Sequence, residues 1–130
     1  MKYLITGGAG FIGSHIVRGL LAQGADVRVL DNFSSGKREN LHGLEVEVLE
    51  GDLRDASTIA QAVRGVNIIF HEAAFVSVPE SMEKPQECFD VNITGTSILF
   101  DAARKAGVQR VVIASSAAVY GDSTAMPLIE

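Results

Sequence analysis

The stretch that decides the fold reads Thr6-Gly7-Gly8-Ala9-Gly10-Phe11-Ile12-Gly13. It follows the apolar run Tyr3-Leu4-Ile5 and precedes apolar residues at helical spacing, namely Ile12, Ile16, Val17, Leu20 and Leu21. A strand that turns on glycines into a helix leaves free backbone N–H groups at the helix start, where the helix dipole also favours negative charge. The pattern therefore predicts a phosphate-binding turn.

Three glycines of this turn have separate expected roles. Gly7 permits the tight turn, Gly10 lets a pyrophosphate approach the backbone, and Gly13 lets the helix pack close to the strand. The spacing Gly-x-x-Gly-x-x-Gly differs by one residue from the usual dinucleotide-binding pattern. A flexible turn without a ligand is the alternative interpretation, and the strand and helix on either side favour the phosphate site.

The composition is that of one soluble globular domain over residues 1–130, with 47% hydrophobic and 21% charged residues. A net charge of -5 and the lack of a Lys or Arg run argue against a nucleic-acid partner, so we expect a small-molecule ligand. The single cysteine, Cys88, excludes an internal disulfide. No apolar run approaches the length of a membrane span or a signal-peptide core, so we expect no membrane partner and a cytoplasmic location.

Helical segments that end in glycine are each followed by an apolar strand. Gly24, Gly65 and Gly107 precede the mainly apolar residues 27–30, interrupted by Arg28, and the apolar residues 68–70 and 111–113. This alternation predicts a parallel sheet. The polar–apolar alternation of residues 45–48 predicts a strand with one solvent-exposed face or an edge strand. The last two apolar runs are continuous, so we expect both to be covered on two faces. Together they predict a doubly wound α/β fold of the Rossmann type with strand order 3-2-1-4-5.

A longer helix and a long loop complete the pattern. The predicted buried stripe of that helix consists of Phe89, Ile93, Thr96, Phe100 and Ala103, which step by four and three residues. Residues 72–85 form a connection with no clear periodicity, and long ordered loops in compact α/β domains are usually functional.

Two acidic residues follow predicted strands. Asp31 comes about twenty residues after the glycine turn, where a carboxylate accepts the hydroxyls of an adenosine ribose and repels a 2′-phosphate, which selects NAD over NADP. Lys37 and Arg38 could soften this preference, and a plain turn at Asp31-Asn32 is the alternative. Asp52-Leu53 could contact the adenine by one hydrogen bond and one apolar contact. Helix capping is the rival role for Asp52, although Asp55 is the better cap.

The sequence resembles the N-terminal part of the extended short-chain dehydrogenase/reductase family, in its branch of NAD-dependent nucleotide-sugar epimerases. The similarity covers essentially all 130 residues. It rests on residues 6–15, Leu30-Asp31-Asn32, Gly51-Asp52-Leu53, His71-Glu72-Ala73-Ala74, Asn92-Ile93-Thr94-Gly95-Thr96 and Ser115-Ser116-Ala117-Ala118-Val119-Tyr120-Gly121. It implies interconversion of UDP-hexose C4 epimers through a 4-keto intermediate, with tightly bound NAD, and a homodimer for the full-length protein.

The resemblance and the motifs together give a set of expected NAD contacts. Phe11 and Ile12 would offer helix-start amides to the pyrophosphate, and Asn92 would hold the loop beside the cofactor by side-chain hydrogen bonds. The full set is Gly7, Gly10, Phe11, Ile12, Gly13, Asp31, Asn32, Ser34, Ser35, Gly36, Asp52, Leu53, Ala73, Ala74, Phe75 and Asn92. Neither His15 nor His71 has a metal-ligand partner at suitable spacing, so we expect no metal and interpret both as packing or hydrogen-bonding residues.

The resemblance also implies the residues that face the sugar nucleotide. Ser116 matches the family's Ser/Thr that hydrogen-bonds the reacting sugar hydroxyl, which makes it the predicted catalytic residue. A cap at the end of an apolar central strand is the alternative role for Ser116. Ser77, Val78 and Ser81 would contact the UDP-sugar, and a structural turn at Pro79 explains the same letters equally well.

The family's Tyr-x-x-x-Lys pair is absent from this sequence, because Tyr3 is followed four positions later by Gly7 and Tyr120 by Thr124. We expect the pair, the last strands and the substrate domain to lie downstream, and residues 1–130 alone to be inactive. Two other functions stay open: a nucleotide-sugar dehydratase, decarboxylase or reductase, and a non-catalytic dinucleotide-binding module.

Overall fold

Five parallel strands form the centre of the structure, a computed structural model that describes residues 1–123 and 126–129. The strands are β1 Lys2–Thr6, β2 Asp26–Asp31, β3 Glu47–Glu50, β4 Ile68–His71 and β5 Arg110–Ile113. Their order is β3-β2-β1-β4-β5, which confirms the predicted order with the first strand at the centre.

Helices cover both faces of this sheet. They are α1 Phe11–Ala22, α2 Ala56–Ala62, α3 Val78–Glu83, α4 Pro85–Phe89 and α5 Thr96–Lys105. A wide π-type turn, Asp90–Gly95, joins α4 to α5, and short 3-10 helices span Arg38–Leu41 and Ala117–Tyr120. Among the described residues, no helix is long and apolar enough to cross a membrane.

Neighbouring residues of the central strand β1 pack into two separate hydrophobic cores. Leu4 packs with Ile59 and Leu99 on the α2 and α5 side, whereas Ile5 packs with Val17 and Val29 on the α1 side. This alternation follows from the period of two along a strand. The sheet is therefore doubly wound, as predicted.

The third strand begins two residues later than predicted, at Glu47 and not at residue 45. The backbone N–H of Val46 donates to Leu44 O in a tight turn, so Val46 does not pair with β2. Glu47 pairs in register with Arg28 of β2, and their side chains form an ion pair. The expected edge position of this strand is nevertheless confirmed.

The expectation that β5 is covered on both faces is wrong for the described residues. Val112 is 39% exposed and Ile113 is 51% exposed. Within residues 1–123 and 126–129, β5 is the edge of the sheet with β4 as its neighbour, so one side of its apolar run is left open.

The buried face of the long helix also differs from the predicted stripe. Phe89, Ile93 and Phe100 are each more than 40% exposed, whereas Leu99 is fully buried. Of the predicted stripe, Ala103 is buried at 3% exposed, as expected. A side chain at Gly95 would come within 2.8 Å of Leu53 Cβ, so the helix packs on the side where Gly95 allows close approach. The neighbouring stripe is also apolar, and periodicity alone does not separate the two.

Candidate dinucleotide-binding site

The glycine turn joins β1 to α1 by short backbone contacts. Gly7 has a φ of +68°, and its N–H donates to Leu30 O at 2.8 Å, while the N–H of Gly10 donates to Gly7 O at 3.0 Å. In the described chain no side chain caps the start of α1 at Gly10. Phe11 and Ile12 are largely exposed, so the first helical turn is open to a ligand.

Close approach explains why Gly7 and Gly13 carry no side chain. A Cβ at Gly7 would lie 2.7 Å from the backbone N of Ala73, and one at Gly13 would collide with the carbonyl oxygen of Gly7. The expected packing role of Gly13 is thus present, directed at the turn itself. The end of β4 and the start of α1 both lie against the same turn.

Asp31 is tied to the glycine turn and to the loop that follows β2. The side chain is buried, with Oδ2 accepting the N–H of Ala9 at 2.9 Å and Oδ1 accepting the N–H of Phe33 at 2.8 Å. A carboxylate oxygen can accept more than one hydrogen bond, so both oxygens keep acceptor capacity. The acid is held at the carboxyl end of β2, where the sequence predicts it.

The residues after Asp31 form a second polar cluster with Asp52. Asn32 accepts the N–H and hydroxyl of Ser34 on Oδ1 and donates from Nδ2 to Asp52 Oδ2 at 3.0 Å. Hydrogen bonds from Arg54 hold the pKa of the Asp52 carboxyl well below its usual range. Ser35 is exposed beside this cluster.

Gly36 and Leu53 are expected NAD contacts that follow β2 and β3. A Cβ at Gly36 would lie 2.9 Å from Asp31 Oδ1, so the loop closes tightly over the acid. Leu53 is 5% exposed and belongs to the α2 and α5 core, so little of its side chain is open, and its contact with an adenine stays a prediction. The helix cap after β3 is Asp55, which accepts the N–H of Ser57, as predicted.

The loop after β4 is fastened to the helices by one side chain. Asn92 accepts the N–H of Phe75 on Oδ1 at 2.8 Å and donates from Nδ2 to Phe75 O at 3.0 Å. These are the loop-holding hydrogen bonds expected of Asn92. Ala73 donates its N–H to the hydroxyl of Thr6 at 3.2 Å, and Ala74 is exposed.

The segment that was expected to be a loop facing a substrate is partly helical. Residues 72–85 contain the helix α3, whose start is capped by Ser77, and Pro79 lies in its first turn. Ser81 donates its hydroxyl to Val78 O at 2.7 Å. The two serines thus hold the helix locally, and Val78 is exposed.

Ser116 lies farther from its strand than expected. The strand β5 ends at Ile113, and Ser116 caps the 3-10 helix that begins at Ala117, with its Oγ accepting the N–H of Ala118 at 3.2 Å. It is therefore not a strand-end cap, and β5 is not a central strand among the described residues. Ser116 is exposed. Thr124, four positions after Tyr120, lies outside the described residues.

The hydrogen-bonding role expected of His71 is confirmed, whereas its two partners below the site, Thr6 and Thr96, were not predicted. Nδ1 of His71 lies 2.7 Å from the Thr6 hydroxyl, and Nε2 lies 2.9 Å from the Thr96 hydroxyl. The signal in the sequence was a histidine, His71, at the end of an apolar strand whose register partner on the neighbouring strand is Thr6. A separate groove of about 600 Å³ lies between α2 and α5, and no predicted site residue lines it.

Comparisons with known proteins agree with this geometry. A UDP-glucose 4-epimerase of Klebsiella pneumoniae is 41% identical over all of this chain and 99% of that relative. A solved UDP-glucose 4-epimerase of Stenotrophomonas maltophila, with bound NAD and formylated UDP-arabinopyranose, has a TM-score of 0.90 and 35% identity over 98% of this chain. A Thermus thermophilus UDP-glucose 4-epimerase in complex with NAD has a TM-score of 0.84 and 47% identity over 89% of this chain.

The chain spans 40% and 38% of the lengths of those two solved proteins. The model of the NAD dependent epimerase/dehydratase family matches residues 3–130. The chain therefore belongs to the NAD dependent epimerase/dehydratase family.

Proposed function

We propose that residues 1–130 form the NAD-binding domain of a nucleotide-sugar epimerase that interconverts C4 epimers of UDP-hexoses. One observation carries the NAD part of this proposal: the buried Asp31 carboxylate accepts the N–H of Ala9 inside the same turn that opens α1 without a capping side chain. An anion-accepting helix start and a ribose-accepting acid are thereby held together, as a dinucleotide requires.

The turn and the acid fit different parts of the cofactor. The first-turn amides of Phe11 and Ile12 would hold the pyrophosphate, and the spare acceptor capacity of Asp31 would hold the ribose hydroxyls. The polar cluster of Asn32, Ser34 and Asp52 would line the adenosine end. NAD, when bound, supplies hydride uptake and return.

On the substrate side, Ser116 is the proposed contact with the sugar hydroxyl. Its Oγ accepts the N–H of Ala118, which leaves its own proton available to donate. Ser77 and Val78 stay candidate contacts with the UDP-sugar, since the hydroxyl of Ser77 accepts the N–H of Glu80 and keeps its own proton. Ser81 is a weaker candidate, because its hydroxyl already donates to Val78 O within α3. The UDP-hexose substrate, the homodimer and the cytoplasmic location stay predictions.

Titration calorimetry with NAD tests the cofactor part. We expect saturable binding by the wild type and at least about tenfold weaker binding by Asp31→Asn, since a charge-assisted hydrogen bond of about 1.5 kcal/mol is lost. The matched control is Asp26→Asn at the opposite end of the same strand, where the carboxylate is exposed and ion-paired with Lys2. Circular dichroism checks that each variant is folded, and equal NAD affinity of the two variants would contradict the assignment of Asp31.

Product analysis tests the reaction. The complete protein is expected to equilibrate UDP-glucose with UDP-galactose and leave the redox state of its cofactor unchanged. Residues 1–130 alone are expected to show no turnover, because neither tyrosine is followed by lysine at the required spacing. Accumulation of a keto sugar would instead favour a dehydratase, and NAD binding without any product would favour a non-catalytic module.

A further inference from the structure

An exposed ion pair lies at the outer edge of the proposed ribose site. The guanidinium of Arg38 pairs with the carboxylate of Glu50 at the end of β3 and stacks over the ring of Phe33, 4.1 Å from its centroid. Arg38 is thus held from two sides: by a charge on the edge strand and by an aromatic face of the loop.

The loop after β2 folds back over Asp31, the proposed ribose-binding acid, and this brings the ion pair close to Asp31. Phe33 donates its N–H to Asp31, and Lys37 donates its N–H to Ala9 O at 3.0 Å. Glu50 is the register partner of Asp31 on β3. The backbone just before Arg38 therefore lies against the glycine turn, and the ion pair is adjacent to the acid.

An arginine in this neighbourhood ordinarily favours the phosphorylated cofactor. A carboxylate at the end of β2 selects the ribose 2′-hydroxyl of NAD, whereas a nearby Arg accommodates the 2′-phosphate of NADP. This chain carries both residue types, and the sequence leaves their balance open. The structure separates them, because Arg38 is already neutralised by a carboxylate on its outer side.

We infer that Glu50 is a specificity-determining positioning residue, which keeps Arg38 on the edge strand and away from a 2′-phosphate. Glu50 acts through Arg38 and has no contact with the cofactor in this account. The inference rests on the proposed function, since it needs the adenosine ribose at Asp31. Both partners are more than 60% exposed, so the restraint is weak and its effect is modest.

The test is a comparison of NAD and NADP affinities by titration calorimetry on the full chain. Glu50→Gln is expected to tighten NADP binding about fivefold and to change NAD binding less than about twofold, as befits release from one exposed ion pair. The double variant Glu50→Gln with Arg38→Ala is expected to lose this gain. Glu39→Gln is the matched control, because it removes an exposed charge next to Arg38 and leaves the ion pair with Glu50 in place.

Each alternative outcome has a definite meaning. NADP affinity that is unchanged in Glu50→Gln, or a gain that survives in the double variant, would overturn the role of Arg38 release. An equal gain in Glu39→Gln would overturn it as well, since bulk charge would then explain the effect. Failure of these variants while the wild type binds NAD refutes this inference alone, whereas a wild type that binds neither nucleotide refutes the proposed function with it.

Discussion

The hydroxyl of Thr6 lies 2.7 Å from Nδ1 of His71, and the two residues are register partners at the carboxyl ends of β1 and β4. The second ring nitrogen is close to the hydroxyl of Thr96 at the start of α5. His71 is 3% exposed, and burial lowers the pKa of its imidazole to about 4. A neutral imidazole therefore joins two strands and a helix directly below the glycine turn.

The first prediction concerns the pH dependence of stability. Above pH 6.5, the ordinary pKa of a histidine in the unfolded chain, His71 is neutral in both states and does not change the free energy of unfolding. Between about pH 6.5 and pH 4 the unfolded chain is protonated at His71 while the folded chain is not, so protonation favours unfolding. The free energy of unfolding should therefore fall by about 2 kcal/mol between pH 7 and pH 5. Urea denaturation at the two pH values measures this loss.

Two variants assign that loss to one residue. His71→Gln should remove most of the decrease, whatever its stability at pH 7, because the titrating group is gone. His42→Gln, at an exposed histidine, should retain it. A decrease of equal size in both variants would show that another group is responsible.

The second prediction concerns the close approach at the glycine turn. Gly13→Ala should destabilise the fold by about 3 kcal/mol, because the added Cβ would collide with the backbone of Gly7 and lie 2.8 Å from Gly8 Cα. Gly19 is the control in the same helix, since a Cβ there meets no atom within 4 Å. Gly19→Ala should stabilise by about 0.5 to 1 kcal/mol through helix propensity. Urea unfolding of both variants gives the two signs, and a stable Gly13→Ala would contradict the packing role.

The sequence was most informative where the backbone itself is constrained. Gly7 and Gly13 predict the turn because only glycine meets the steric limits there, and the alternation of strands and helices limits the sheet to a few orders. The helix start at Ser77 also had a signal, since Ser77-Val78-Pro79-Glu80 combines a capping-box spacing with an early proline. That signal indicates a helix inside the segment that was expected to be a loop.

Tertiary packing decided the features that the sequence did not predict. The long helix has two adjacent apolar stripes, and the contact of Gly95 with Leu53 selects one of them. Leu53 follows an acid at the edge of the sheet, yet its side chain enters the core. The sequence near each residue does not determine which apolar side chains are buried, because their burial depends on partners that are distant along the chain.

The third prediction concerns the loop that Asn92 holds. Asn92→Ala removes two hydrogen bonds and leaves the partly buried N–H and C=O of Phe75 without their side-chain partner, so we expect a loss of about 2 kcal/mol. Amide hydrogen exchange at Phe75 should accelerate more than at β1. Gln86→Ala, on the exposed side of α4, is the control and should change stability by less than about 0.5 kcal/mol. Unchanged exchange at Phe75 would argue against the loop-holding role.

The fourth prediction concerns Arg28, which joins β2 to the end of α2. Its Nη1 donates to Ala62 O at 2.7 Å and Arg64 O at 2.9 Å, where the helix dipole favours a cation. Arg28→Met should lower the free energy of unfolding by about 2 kcal/mol, because carbonyl groups lose a charged donor. Thermal and urea unfolding measure the change.

The control for Arg28 is another arginine in an ion pair. Arg104 is 74% exposed and pairs with Asp101, so Arg104→Met should change stability by less than about 0.5 kcal/mol. Equal losses in the two methionine variants would mean that the contact with the end of α2 contributes little.

The central position of β1 also sets the order in which the protein can assemble. Lys2 pairs with Asp26 and Tyr3 with Ile68, so β1 gains its β4 neighbour only after all the residues between Tyr3 and Ile68 have been made. Parallel pairing across such distances must await the closure of long loops, which slows folding. During synthesis, β1 must stay unaggregated until β4 has been made.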